Sequence, residues 1–224
     1  MGFDALAVTT CSAALAGALA FLASGSAPQP SQGGKPEPYN QVMPSAPASA
    51  SRTAGVRNAL EALRAGGWKG EEPAIVVDIA RQRLILYKEG KPWKAWWVST
   101  SKNGVGSEPG SYKTPVGLHR IWKKSGETAR LGQPLRGGEP TDRPISEEPG
   151  ARKVYISTRA LMLDGLEADN KTSKNRGIWI HGTTAEDRIG KPASIGCVRM
   201  RNVDVVDLFN SVPVGTLVMI TDAP

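Results

Sequence analysis

A mainly β domain with one or two short helices is the fold class this sequence predicts, on three observations. Of 224 residues, 25 are glycine and 17 proline, just under a fifth of the chain, a frequency of chain breakers that disfavours long helices. The apolar runs are short, of strand length, and separated by turn residues. Six tryptophans point to a packed core or an aromatic-lined groove. With 40% hydrophobic and 22% charged residues, the composition excludes a disordered, collagen-like or multi-span membrane chain. The length suits one domain of about 150 residues plus extensions.

The extensions lie at the N-terminus. Residues 5–23 carry no charge and are followed by the small residues Ser24, Gly25, Ser26 and Ala27. This pattern reads as an export signal or a single membrane anchor over residues 1–25, although the preceding MGFD holds Asp4 and no basic residue. A lipid-modified Cys11 is disfavoured because the apolar run continues past it. Residues 26–52, rich in Pro and Ser, cannot bury enough surface to offset their ordering entropy and read as a tether. Residues 53–72 then form a helical lead-in, with Val56, Leu60 and Leu63 at helical spacing and Gly66-Gly67 as the stop.

The domain proper is expected over residues 73–224. Strands are read at Ile75–Ile79, Arg83–Lys88 and Trp93–Thr100, joined by turns at Ala80–Gln82 and Glu89–Lys91. Leu118–Trp122, Val154–Ser157, Leu161–Leu163, Ile178–His181 and Thr216–Ile220 are further strands. A helix is read over Asn202–Asn210, capped by Asn202, with Val205, Leu208 and Phe209 on one face. Lys123–Lys153 reads as a long polar connection, either a binding loop or a disordered insertion. The net charge of +7 comes from scattered Lys and Arg, without the basic runs interleaved with aromatics that nucleic-acid binding requires. An anionic envelope polymer is the more natural partner for an exported chain.

The chemistry concentrates in residues 178–200. His181 ends an apolar strand and is followed by Gly182 and Thr183; Ser194-Ile195-Gly196-Cys197-Val198-Arg199 comes shortly after. Gly196 lets backbone approach a substrate closely and can set the Gly196 and Cys197 N–H groups side by side, as an acyl-transfer oxyanion needs. A free cysteine is a few per cent thiolate near neutral pH and needs a neighbouring base or cation; with His181 and Arg199 near, a raised thiolate fraction is expected. Cys197 and Arg199 share a face if the segment is extended. A zinc site from His119, His181 and Cys197 lacks a fourth ligand and the usual spacings, so no metal and no cofactor are expected.

The run His181-Gly182-Thr183, then Gly190-Lys191-Pro192-Ala193-Ser194-Ile195-Gly196-Cys197-Val198-Arg199-Met200, resembles the catalytic signature of the L,D-transpeptidase (YkuD) family. The resemblance extends to Val98–Ser101, to Ser111–Gly117 and to the final strand, about Ala74 to Ile220. It implies a sandwich-like β domain acting on peptidoglycan stem peptides in the periplasm or cell envelope. It implies Cys197 as nucleophile, His181 as base, the Gly182 carbonyl holding the imidazole, and Gly196 and Cys197 as oxyanion donors. Arg199, Ser194 and Thr183 would contact substrate or support the loop. The acyl-enzyme would be resolved by a second stem's amine into a 3→3 cross-link, by an envelope lipoprotein's lysine, or by water. Many members carry His where this chain has Ile195, which bears on acceptor choice or rate. A noncatalytic peptidoglycan-binding module with a tryptophan groove would not need the Cys–His pair.

Overall fold

The computed structural model describes residues 50–142 and 155–223. The readings of residues 1–25 as export signal or anchor, and of most of the 26–52 tether, lie outside the described residues. Helix α1 spans Ala50–Ala65, beginning three residues before the expected lead-in and within the stretch assigned to the tether. Ten strands and a second helix follow: β1 (Ala74–Asp78), β2 (Arg83–Lys88), β3 (Lys91–Trp97), β4 (Gly117–Ser125), β5 (Leu135–Arg136), β6 (Glu139–Pro140), β7 (Ile156–Gly165), β8 (Trp179–Thr183), β9 (Val198–Met200), α2 (Asn202–Ser211) and β10 (Leu217–Thr221).

Eight strands form one sheet in the order β3-β2-β1-β10-β4-β7-β8-β9, with β5 and β6 as a small separate hairpin. The β1–β10 and β8–β9 pairs are parallel and the rest antiparallel. The sheet then closes on itself. Beyond β3, the Ser99 backbone pairs antiparallel with Arg199 of β9, so segment 98–101 lies along the last strand. Gln82 secures this closure. Its side chain donates to the Ile79 carbonyl and to Thr100 Oγ1, both at 2.7 Å, and accepts from the Thr100 N–H at 2.8 Å.

Strand alternation sorts the apolar residues onto two faces. Ile75, Val77, Leu84, Leu86, Ile121, Leu163, Ile180, Val198, Met200, Val218 and Ile220 point inward and are covered by Val205, Leu208 and Phe209 of α2. On the opposite face Val76, Tyr87 and Leu118 pack beneath Ala59 and Leu63 of α1 and Trp68.

Four expectations change. Ile156 and Ser157 of the first run and the whole 161–163 run belong to a single strand, β7, which bulges between Ser157 and Ala160. In the described part of the connection after Lys123, β4 continues to Ser125 and the β5–β6 hairpin follows. Trp93–Thr100 is not one regular strand, since β3 ends at Trp97 and 98–101 continues through isolated bridges. Asn202 is the first helical residue rather than the cap of α2. Its backbone N–H is taken by Glu186 Oε1 at 2.7 Å, while its side chain is used elsewhere. The tryptophans are spread over the domain: Trp68 is buried under α1, Trp96 packs on the core, Trp179 packs against Ala129, Leu135 and Ala160, and Trp93 and Trp97 are exposed on β3.

Because Gln82 is 4% exposed and makes three hydrogen bonds, Gln82→Ala leaves the Thr100 N–H and hydroxyl without these partners. The expected loss is about 1–3 kcal/mol, the usual cost of stranding buried polar groups, read as a lower urea midpoint with unchanged m-value. An unchanged midpoint would mean that Gln82 does not hold the closure.

Candidate active site

The site is built where β8 and β9 run side by side. Their register pairs Ile180 with Val198, His181 with Arg199 and Gly182 with Met200. Paired residues of neighbouring strands point to the same face, so His181 and Arg199 project together, opposite the core residues Ile180 and Val198. Cys197 stands one residue before β9 and, by the same offset, beside Trp179. The sulfur is near the Trp179 backbone N–H, which favours the thiolate. Cys197 therefore enters β9 beside the strand that carries His181, and Arg199 acts electrostatically on both.

His181 is 3% exposed, and its Nδ1 lies 2.6 Å from the Gly182 carbonyl oxygen. Since a carbonyl only accepts, Nδ1 carries the proton and Nε2 keeps its lone pair. Burial, opposed by this hydrogen bond and reinforced by the neighbouring Arg199 charge, lowers the imidazole pKa to about 4. Cys197 is half-buried and free, and its Sγ–H donates to the Gly177 carbonyl at 3.3 Å. Burial raises its pKa; the Trp179 N–H and the charges of Arg199 and Arg176 act in the other direction. The expectation of a raised thiolate fraction is thus corrected: burial outweighs both cations, and thiol and imidazole are both neutral at rest.

The loop carrying the cysteine is stitched to two distant segments. Ala193 and Ser194 N–H both donate to the Thr100 carbonyl, and Lys102 N–H donates to the Ser194 carbonyl. Thr114 Oγ1 donates to the Gly196 carbonyl at 3.0 Å and accepts from the Ser101 N–H. Gly196 has φ 128°, a conformation that favours glycine, and a Cβ there would lie 3.2 Å from Ile178 Cδ1, a tight contact. Its N–H donates to Ser194 Oγ at 3.2 Å, which engages one of the two expected oxyanion donors.

Ser194 and Thr183 are fully buried. Ser194 Oγ donates to the Cys197 carbonyl at 2.6 Å, and Thr183 Oγ1 accepts from the Ala185 N–H at 3.2 Å. Both hydroxyls hold backbone and neither faces solvent. Arg199 is 7% exposed, with Nη1 donating to the Ala193 carbonyl at 3.2 Å. Ile195 is exposed on the loop, as is Tyr112 nearby, whose carbonyl accepts from Ser101 Oγ. His119 is elsewhere. Buried on β4, it bonds the Gly117 carbonyl and Ser173 Oγ, each at 3.0 Å.

Sequence reading missed Arg176 and Gly177, which immediately precede the His181 strand. Arg176 donates to the Gly106 and Lys113 carbonyls, at 3.1 and 2.6 Å, tying the 106–113 segment to the neighbourhood of Cys197. No local pattern flags partners 63–70 residues away.

The domain model for the YkuD L,D-transpeptidase catalytic domain matches residues 72–220, and the chain belongs to that family. The chain is 32% identical over 151 residues to YqjB of Bacillus subtilis (strain 168), covering 67% of this chain and 72% of that one. It is 56% identical over 165 residues to ErfK/SrfK of Escherichia coli (strain K12), again 67% of this chain but 44% of the relative. Both relatives carry L,D-transpeptidase names. Among solved structures, an L,D-transpeptidase from Xylanimonas cellulosilytica aligns at 20% identity over 72% of this chain and 68% of that one, with a TM-score of 0.44. Among the described residues no helix is long and apolar enough to cross a membrane.

Both histidines are held neutral with pKa values of about 4, whereas an unfolded histidine protonates near 6.5. The stabilisation from keeping them neutral is complete above pH 6.5 and is lost as pH falls from 6.5 toward 4. Asp204, raised to about 6 by burial, has the opposite sign and offsets part of this loss. Thermal midpoints should therefore fall between pH 6.5 and 4, less steeply in His181→Gln than in wild type. Parallel profiles would show that the imidazole is not held neutral by the fold.

Proposed function

We propose that the protein is a peptidoglycan L,D-transpeptidase in which Cys197 is the nucleophile and His181 its base. The observation that supports this most is the β8–β9 pairing, which sets His181 beside Arg199, two residues past Cys197, with Nδ1 of His181 bound to the Gly182 carbonyl at 2.6 Å. That hydrogen bond leaves Nε2 as the proton acceptor, the part an Asp or Asn plays in other triads.

In the proposed cycle the Cys197 thiol leaves the Gly177 carbonyl and passes its proton to Nε2 as sulfur attacks the carbonyl before the terminal D-Ala of a stem peptide. A C–S bond forms, and the oxyanion is met by the Cys197 N–H, with the Gly196 N–H joining if it releases Ser194 Oγ. Collapse breaks the C–N bond; the imidazolium returns its proton to the leaving D-Ala amine, and a thioester remains. An amine of a second stem then attacks, His181 accepts a proton from it, the tetrahedral intermediate expels the Cys197 thiolate as the C–S bond breaks, and the imidazolium returns the proton to sulfur. A 3→3 cross-link and a neutral thiol result. Ser194 and Thr183 enter as residues that hold the loop and the strand end, because both are buried and bonded to backbone. Arg199 and Arg176 offset the charge that develops on sulfur. The uncharged stretch at residues 5–23 supports export to the envelope, where the substrate is.

A muropeptide digest incubated with the protein and read by mass spectrometry tests the function. New 3→3 dimers support transfer, trimmed tripeptides would make it a carboxypeptidase, and no change would leave binding alone. Acylation by a carbapenem, followed by intact-protein mass, tests the residues. Cys197→Ala should take no adduct, and His181→Gln should acylate about two to four orders of magnitude more slowly while remaining folded. His119→Gln should keep a rate near that of wild type. Wild-type rates in His181→Gln would leave the thiol without its assigned base.

A further inference from the structure

Directly across from the His181–Gly182 step, β7 carries a bulge: Ser157 pairs with Gly182 and Ala160 with His181, and Thr158 and Arg159 fill the gap. Thr158 there has φ 67° and is fully buried. Among the described non-glycine residues with positive φ (Gln82, Glu89, Tyr112 and Thr158), it is the one with a branched Cβ, the type that conformation tolerates least. Such an outlier persists when its surroundings over-determine it, and outliers of this kind cluster at functional sites.

The surroundings are polar and fully paired. Thr158 Oγ1 donates to Asn202 Oδ1 at 2.7 Å and accepts from the Gly132 N–H at 2.8 Å. Ser157 Oγ donates to the same Oδ1 at 2.7 Å. The other end of the amide, Nδ2, donates to the Thr183 carbonyl at 3.0 Å and to Glu186 Oε1 at 2.7 Å. All four hydrogen-bonding positions of the Asn202 amide are therefore used, which fixes its orientation. It also presses on the backbone: a Cβ on Gly182 would lie 2.5 Å from Asn202 Oδ1 and 2.5 Å from the Ser157 carbonyl. The residue it presses on is the one whose carbonyl takes the Nδ1 proton of His181.

We propose that Thr158 and Asn202 are positioning residues for His181. They hold the Gly182–Thr183 backbone so that the Gly182 carbonyl accepts from Nδ1, which keeps the lone pair on Nε2. Through Gly132 they join this setting to the 126–142 loop. The inference rests on His181 being the base of Cys197. Neither residue touches the thiol. If the Gly182 carbonyl turned away, the proton would be free to sit on Nε2 and the imidazole could no longer receive one there.

Thr158→Gly is the informative variant, because glycine adopts the left-handed conformation freely and removes the whole side chain, hydroxyl included, without adding backbone strain. Two readouts apply: the tautomer of His181 from its ¹⁵N resonances, and the carbapenem acylation rate of Cys197 at neutral pH. Wild type should show the Nδ1–H form. Thr158→Gly should populate the Nε2–H form and acylate about tenfold more slowly, roughly the worth of one hydrogen bond. Thr158→Ser, which restores the hydroxyl, should recover both. Asn202→Ala, read in the same way, should also shift the tautomer and covers the case in which the glycine variant does not fold. A folded Thr158→Gly with an unchanged tautomer, or with a wild-type acylation rate, overturns the relay. A wild-type protein that takes no acyl group would instead sink the functional reading, while the tautomer comparison still judges the relay.

Discussion

The parallel pairing of β8 with β9 is the constraint on which the site depends. Register alone sets His181 beside Arg199 and brings the Cys197 end of β9 to the start of β8. A slip of one residue would turn the cysteine toward Ile180 and the apolar core. Much of the remaining architecture defends that register. Segment 98–101 closes the sheet against β9, the Thr100 carbonyl and Thr114 hydroxyl hold the cysteine loop, and Glu186 caps the helix that begins just after β9.

Electrostatics explain why the pair rests in its neutral form. Both groups are taken out of water, which penalises imidazolium and thiolate alike. Arg199 favours thiolate but disfavours imidazolium, so its single charge cannot stabilise the two ions as a pair. Arg176 adds a second positive charge near the sulfur, with its guanidinium occupied by the Gly106 and Lys113 carbonyls. With Cys197 as nucleophile, as proposed, negative charge would grow on sulfur only as the reaction proceeds, beside the charges of Arg199 and Arg176.

The strands and the Cys–His motif were legible in the sequence because they are local. Short apolar runs marked β1, β2, β8 and β10 within a residue or two, and the run from Gly190 to Met200 identified the cysteine loop. What could not be read was long-range or concealed by a plausible local role. Asn202 before an apolar helical face reads as a helix cap, yet its amide binds β7 and β8 across 19 to 45 residues of sequence. Thr158 is invisible because a threonine inside a strand gives no sign of a left-handed φ. Ser194 and Thr183, polar and next to Cys197 and His181 in sequence, read as substrate contacts or loop supports, and the fold buries both completely. Burial also accounts for the thiol: sequence supplies the neighbouring cations but not the desolvation that outweighs them.

The most direct test of this account is an ultraviolet titration of the thiolate in the free enzyme, with Cys197→Ala subtracted. A neutral Cys197–His181 pair gives no thiolate absorbance near neutral pH, and the signal rises only above the ordinary cysteine value of 9.0. A thiolate already present between pH 5 and 7, and lost in His181→Gln, would show a preformed ion pair and contradict the account.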